Sequence, residues 1–261
     1  MNRVITLTTG WADDFYVAAL KGILLSSVPS VQIIDMSHHA PAFSSGITYA
    51  AYMVKQSYKY FPQGAIHIIS IASEYHNSSP FISVFHDGHF FIGTDNGFFG
   101  MIFDDTPETI VRIEKFKDDE SPNYPALSVF APAAIHLANG GDIAELGSIC
   151  DDFQRKGTIL PLLESSQITG TILHINAFGN AITNISREDF ERIGKGRPFE
   201  IMVNSIRQKI TSINKYFHET STGELLALFN ISGYLEVAQN KGKLAELMRL
   251  TLNSNIIVKF T

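Results

Sequence analysis

The apolar pattern of this chain changes character once, and that change limits the architecture more than any single residue. From Val4 to Asn139, short β-branched runs alternate with stretches of helical period, the pattern of an α/β domain. Val4–Thr8, Val31–Met36 and Ala65–Ile71 predict strands. Asp13–Ser27 predicts an amphipathic helix with Tyr16, Ala19, Leu20, Ile23 and Leu24 on one face. A second helix, from about Ser44 to Tyr60, stops ahead of Pro62 because proline disfavours helical backbone in the residue before it. Phe81–Phe85 and His89–Ile92 flank Asp87-Gly88, a dipeptide suited to the positive φ of a tight hairpin, so the sheet is expected to be mixed. A last helix, from about Val129 to Asn139, stops at Gly140-Gly141.

Beyond Gln167 the helical period is gone. Ile168–Ile175, Ala181–Ile185, Phe199–Val203, Gln208–Ile213, Leu225–Phe229 and Ile256–Phe260 are short β runs parted by turn residues, which predicts a small barrel or sandwich. Between Cys150 and Gln167 the pattern weakens, with Gly157, Pro161 and Ser165-Ser166 in the interval. The expected organisation is therefore an α/β domain over 1–155 with a mixed, mostly parallel sheet between helices, a linker over 156–166, and a small all-β, barrel-like domain over 167–261.

A chain of 261 residues with 45% hydrophobic content can build these cores without disulfide staples. The single cysteine, Cys150, cannot form an internal bridge and fits a reducing compartment. A net charge of -6 with no basic stripe gives no support for a nucleic-acid or anionic-membrane partner, since both need clustered Lys and Arg. The opening run Met1-Asn2-Arg3-Val4-Ile5-Thr6-Leu7-Thr8 is too short and too polar for a secretory h-region, and no stretch approaches the ~18 apolar residues of a membrane span, so a soluble cytoplasmic protein is expected. His38-His39 lack the spacing and partners of a metal site, and no cofactor motif is present. A structural hydrogen-bonding role is expected for His38, and His86 and His89 read as exposed hairpin residues.

Three segments carry a resemblance. Gly223-Glu224-Leu225-Leu226-Ala227-Leu228-Phe229-Asn230-Ile231-Ser232-Gly233-Tyr234-Leu235-Glu236-Val237-Ala238, Phe178-Gly179-Asn180-Ala181-Ile182-Thr183-Asn184-Ile185 and Asp95-Asn96-Gly97 together resemble the S-adenosyl-L-methionine hydroxide adenosyltransferase family, whose relatives include fluorinases and chlorinases. The resemblance covers nearly the whole chain. It implies the same α/β plus β architecture, hydrolysis of S-adenosylmethionine to adenosine and methionine, and a homotrimer with nucleoside pockets between neighbouring chains.

The family's reactive positions are the ones that differ. Gly10-Trp11-Ala12 stands in place of an Asp-Phe-Gly whose aspartate grips the ribose; Asp14 matches the family's second aspartate, and Asp13 or Asp14 either replaces the clamp or caps the helix that follows. In the loop that resembles the family's Asp-Pro-Gly-Val-Gly, Ala72 occupies the aspartate position, and Ser79 falls near the arginine. Pro125 occupies the histidine position of the second loop, and neither Ala72 nor Pro125 can accept or deliver a proton. Glu74 and His76 are the replacement acid–base candidates, set against the plainer reading of a solvated loop.

The binding positions are better kept. Tyr16, Phe43, Tyr124, Phe178, Asn180, Asn230 and Ser232 are implied ligand contacts, Phe178 and Asn180 facing adenine through ring and amide. Asn176 takes the place of an aspartate that pairs the methionine ammonium. Turn and core structure is the competing account of these residues. Two functions follow: a member of the family with altered or lost hydrolase activity, or a non-catalytic nucleoside-binding or scaffold homologue.

Overall fold

The computed structural model describes residues 3–40, 44–74, 78–116, 123–155, 160–203, 209–252 and 254–261. The chain divides into two compact units, 1–158 and 159–261.

The first unit runs β1 (Val4–Thr9), α1 (Phe15–Ser27), β2 (Gln32–Ser37), α2 (Ser44–Ser57), β3 (Ile66–Ser70), β4 (Phe81–His86), β5 (His89–Thr94), α3 (Phe99–Ile102), β6 (Thr109–Ile113), α4 (Ala131–Ala138) and β7 (Gly147–Cys150). Among the described residues its sheet has the order β2-β1-β3-β5-β4-β6-β7. The pairs β1–β2, β1–β3 and β3–β5 are parallel, whereas β4–β5, β4–β6 and β6–β7 are antiparallel. Only β4 and β7 therefore run against the other strands, a mixed sheet with a parallel majority, as the pattern predicts. Both faces are covered. Leu20 and Leu24 of α1 pack with Ala134 and Leu137 of α4 over Ile5, Leu7 and Ile68, while Ala50 and Val54 of α2 pack with Phe99 over Ile69, Val84 and Phe91. Burial on both sides is why the inner strands β3 and β5 read as nearly continuous apolar runs, whereas the edge strands β2 and β7 are largely exposed or half-buried. Each fully buried leucine contributes about 1.5–3 kcal/mol.

The β4–β5 hairpin turns on Asp87 (φ 50°) and Gly88 (φ 75°), the two positive φ values that this dipeptide predicts. On α1 the buried residues are Val17, Leu20 and Leu24, and Ile23 of the expected face is 36% exposed. A single-turn π segment, Ala126–Phe130, leads into α4, whose first turn holds Pro132, a residue with no N–H to donate back to that segment. The exposed reading of His89 is corrected. His89 is 1% exposed, with Nδ1 3.4 Å from His67 Nε2 and its ring edge-on to Tyr58, because β5 lies inside the sheet with a helix over that face. His86 is half-buried and 3.2 Å from Glu108.

The second unit contains β8 (Leu162–Leu163), β9 (Gln167–Ile175), β10 (Ala181–Ser186), α5 (Arg187–Gly194), β11 (Phe199–Val203), β12 (Leu225–Phe229), β13 (Tyr234–Gln239), α6 (Leu244–Met248) and β14 (Asn255–Phe260). Its antiparallel strands form one curled, barrel-like sheet in the order β11-β14-β9-β10-β13-β12, with β8 on β9. Alternate residues of β9 and β14, such as Ile168, Ile172, Ile256 and Val258, fill the inside with Val237 and Phe260. The strand expected over Gln208–Ile213 is corrected: among the described residues Ile210 makes one isolated bridge to Ile201, and the chain bends at Ser212. The β-only reading also missed α5, which Ser186 caps by accepting the Asp189 N–H at 3.0 Å.

Candidate functional site

A cavity lies in the second unit, beside the turn from β9 to β10. Asn176 builds that turn: its Oδ1 accepts the N–H groups of Phe178 and Asn180 at 3.0 and 3.1 Å, and its carbonyl accepts from Gly179 at 2.9 Å. Gly179 has φ 77°, and a Cβ there would lie 2.9 Å from Lys243 Cβ, so the turn is folded tightly onto the segment entering α6. A second tie holds the two together, the Ala245 N–H donating to the Gly179 carbonyl at 2.9 Å. The consequence is that Phe178 is thrown outward, 76% exposed, at the mouth of the cavity.

The 3₁₀ turn Phe217–Glu219 supplies a second ring to the lining, that of Phe217. The floor is polar. Glu236 on β13 accepts from Asn180 Nδ2 at 2.8 Å and lies 3.4 Å from Asn176 Nδ2. The segment after β13 closes the wall, with Lys241 in the left-handed region (φ 54°) and Lys243 paired to Glu246 at 2.6 Å. The volume is about 750 Å³, within the range of small-molecule sites. Two aromatic rings and a few oriented amides in one lining suit a flat heteroaromatic ligand. Asn176, Phe178 and Asn180 are thus brought together as expected.

Asn230 and Ser232 are not. They form the β12–β13 hairpin tip, where Asn230 Oδ1 accepts the N–H groups of Ser232 and Tyr234 at 3.0 and 3.2 Å, and they are absent from the cavity lining. Phe217, Gln239 and the two lysines were missed as lining residues. The aromatic triplet Tyr216-Phe217-His218 ahead of the Gly223 turn was the available signal for Phe217.

In the first unit, Tyr16 and Tyr124 meet directly. Their rings stack at 4.9 Å and 25°, and Tyr16 donates its hydroxyl to that of Tyr124 at 3.0 Å, a bond that raises the Tyr16 pKa above the usual phenol value. Trp11 lies 5.6 Å from the Tyr16 ring. Asp14 occupies the N-cap position of α1, but its carboxylate makes no capping hydrogen bond, and the backbone carbonyl accepts from Val17 at 3.2 Å instead. The capping account of Asp14 is corrected on that geometry; Asp13 and Asp14 are both exposed.

Ala72 stands in a left-handed turn (φ 45°), clamped by Asn96 Nδ2, which donates to the carbonyls of Ile71 and Ala72 at 2.9 and 3.2 Å. Glu74, two residues on, is exposed. His76 and Phe43 lie outside the described residues. Pro125 is buried at the start of the π segment. His38 has the hydrogen-bonding role expected of it, Nδ1 2.9 Å from Thr9 Oγ1 and Nε2 3.1 Å from Asp35 Oδ1. Among the described residues, no group of three His, Cys, Asp or Glu side chains is placed to hold a metal, and no helix is long and apolar enough to cross a membrane.

Comparison with known proteins adds the family. Residues 5–147 match the model of the SAM hydroxide adenosyltransferase N-terminal domain, and residues 170–257 that of the C-terminal domain. The (R)-S-adenosyl-L-methionine hydrolase of Thermus thermophilus is 27% identical over 96% of this chain and 96% of its own length. That of Methanocaldococcus jannaschii is 25% identical over 95% and 92%. The crystal structure of an uncharacterised conserved protein from Thermotoga maritima superposes with a TM-score of 0.86 at 23% identity, over 99% of this chain and 100% of that one, a likeness of fold.

Proposed function

We propose, from the premise that this chain belongs to the S-adenosyl-L-methionine hydroxide adenosyltransferase family, that it binds an adenine nucleoside in the second-unit cavity and that the family's hydrolysis is altered or lost. The observation that carries the reading is the convergence of Phe178, Phe217 and Asn180 on one cavity of suitable size. The family reaction needs a water to attack the carbon attached to sulfonium while the carbon–sulfur bond breaks and its electron pair leaves on sulfur. Groups that orient that water and take its proton supply much of the rate. The methyl of Ala72 and the ring of Pro125 offer no such group, and removing one member of a mutually dependent set drops catalysis close to background. As part of the same proposal, the protein is a cytoplasmic homotrimer.

A second reading, retained hydrolysis, is favoured by the hydrolase names of full-length relatives and by the exposed carboxylate of Glu74 beside the altered turn. Binding separates a nucleoside site from a scaffold. Adenosine should raise the thermal midpoint of the protein, since a ligand specific to the native state must stabilise it, and Phe178→Ala should abolish the rise. No shift with adenosine, S-adenosylmethionine or other nucleosides would contradict the proposal.

A further inference from the structure

Within the cavity, one amide has its orientation decided by its neighbour. Asn180 Nδ2 donates to Glu236 Oε1 at 2.8 Å, and the two residues are 5% and 7% exposed. A carboxylate accepts hydrogen bonds and cannot donate them. The nitrogen of Asn180 must therefore be the atom turned toward Glu236, which leaves Oδ1 on the other side of the amide. The backbone of Asn180 is already committed to the turn: its N–H donates to Asn176 Oδ1 and its carbonyl accepts from Asn176, both at 3.1 Å. The same ordering recurs along the wall, where Gln239 Nε2 donates to the Gly223 carbonyl at 2.9 Å and Asn240 Nδ2 to the Thr220 carbonyl at 2.6 Å. An amide free to rotate can donate or accept toward a ligand. This one is held as an acceptor.

We propose that Glu236 is a positioning residue that sets the base specificity of the cavity: by holding Asn180 Nδ2 it presents Asn180 Oδ1 as an acceptor, so the site takes a purine with an exocyclic amino group in preference to one with an exocyclic carbonyl. The proposal rests on the nucleoside reading above. An amino purine offers a donor at that edge, whereas an oxo purine offers an acceptor, and two acceptors facing each other leave both unpaired.

Calorimetric titration of the full chain with adenosine and with inosine, for wild type, Glu236→Gln and Glu236→Asp, tests it. Wild type should favour adenosine by at least about tenfold, as expected of a site that loses a buried hydrogen bond with the wrong ligand. Glutamine can accept or donate, so in Glu236→Gln the Asn180 amide is free to turn, inosine should bind more tightly, and the ratio should fall at least roughly threefold. Aspartate restores an acceptor-only group, so Glu236→Asp should keep the preference while weakening both ligands. A merely structural Glu236 would weaken both ligands alike. Thermal melting checks that Glu236→Gln folds; if it does not, Asn180→Ser, which removes the oriented carbonyl and leaves Glu236, must lose the preference. A wild type that binds nucleoside without preference, or a preference unmoved in Glu236→Gln or in Asn180→Ser, overturns the role of Glu236 alone. A wild type that binds neither nucleoside overturns the site reading and this role together.

Discussion

Gly179 and Lys243 are in such close approach that a methyl group on Gly179 would lie 2.9 Å from Lys243 Cβ and 3.0 Å from its Cα. The contact joins the turn that carries Phe178 to the segment entering α6, and Gly179 itself sits at φ 77°, where a side chain is strained whatever the space. Gly179→Ala should therefore cost about 1–3 kcal/mol of stability and reduce adenosine binding, because the turn must move away and take Phe178 with it. Urea unfolding and calorimetry on the variant check both effects; unchanged binding would show that the position of Phe178 does not depend on this contact.

The cap of α5 gives a prediction confined to stability. Ser186 Oγ accepts the Asp189 N–H at 3.0 Å, so Ser186→Ala should destabilise the protein by about 0.5–2 kcal/mol. Adenosine affinity should be unchanged, since Ser186 does not line the cavity. Chemical denaturation and calorimetry measure the two.

Acid should destabilise the first unit through a buried histidine. His67 is fully buried, with Nδ1 2.8 Å from Thr6 Oγ1, and burial, followed by the charge of His89, lowers its pKa to about 3 from 6.5. The depressed value means that the unfolded chain binds more protons between about pH 6.5 and pH 3. Stability is then fully present above about pH 6.5 and falls with pH through that window, at up to about 1.4 kcal/mol per pH unit for this one group. Denaturation midpoints at about pH 7.5 and about pH 5 should differ, and the difference should shrink in His67→Gln. An equal pH response in the two proteins would contradict the assignment.

What was legible in the sequence and what was not divides along local and non-local causes. Asp87-Gly88 announced its turn because the φ values are a property of those two residues, and the inner strands of the first sheet were plain because burial on both faces keeps them mostly apolar. His89 was misread because its burial comes from His67 and Tyr58, distant in sequence and joined only by the fold. Asn180 was legible as a candidate site residue and does line the cavity, yet its orientation was not legible, since its partner Glu236 lies 56 residues away on β13. Phe217 was hidden for a related reason, being brought to the same cavity as Phe178 by a short turn that has no periodicity to announce it.

Ligand preference should favour the nucleoside end over the amino-acid end. The Asn176 amide is committed to its own turn and carries no charge to oppose an ammonium, and Gly10-Trp11-Ala12 lacks the ribose carboxylate that the family resemblance implies. A hydrogen bond to a charged group is worth about 1.5–3 kcal/mol, so each loss weakens S-adenosylmethionine binding by roughly tenfold or more. Calorimetry should find adenosine binding as tightly as S-adenosylmethionine or more tightly; a clear advantage for S-adenosylmethionine would mean that Asp13, Asp14 or Glu74 supplies the missing contacts.

Light scattering at micromolar concentration should give the mass of three chains, and a monomer would contradict the assembly that the family resemblance implies.

Chromatographic measurement of adenosine released from S-adenosylmethionine tests the central claim most directly. On the proposal that Ala72 and Pro125 stand where the family organises its attacking water, the purified protein should release no more adenosine than a control without protein. Adenosine formed well above that control, and abolished by Phe178→Ala, would contradict the account and make Glu74 and His76 the next residues to substitute.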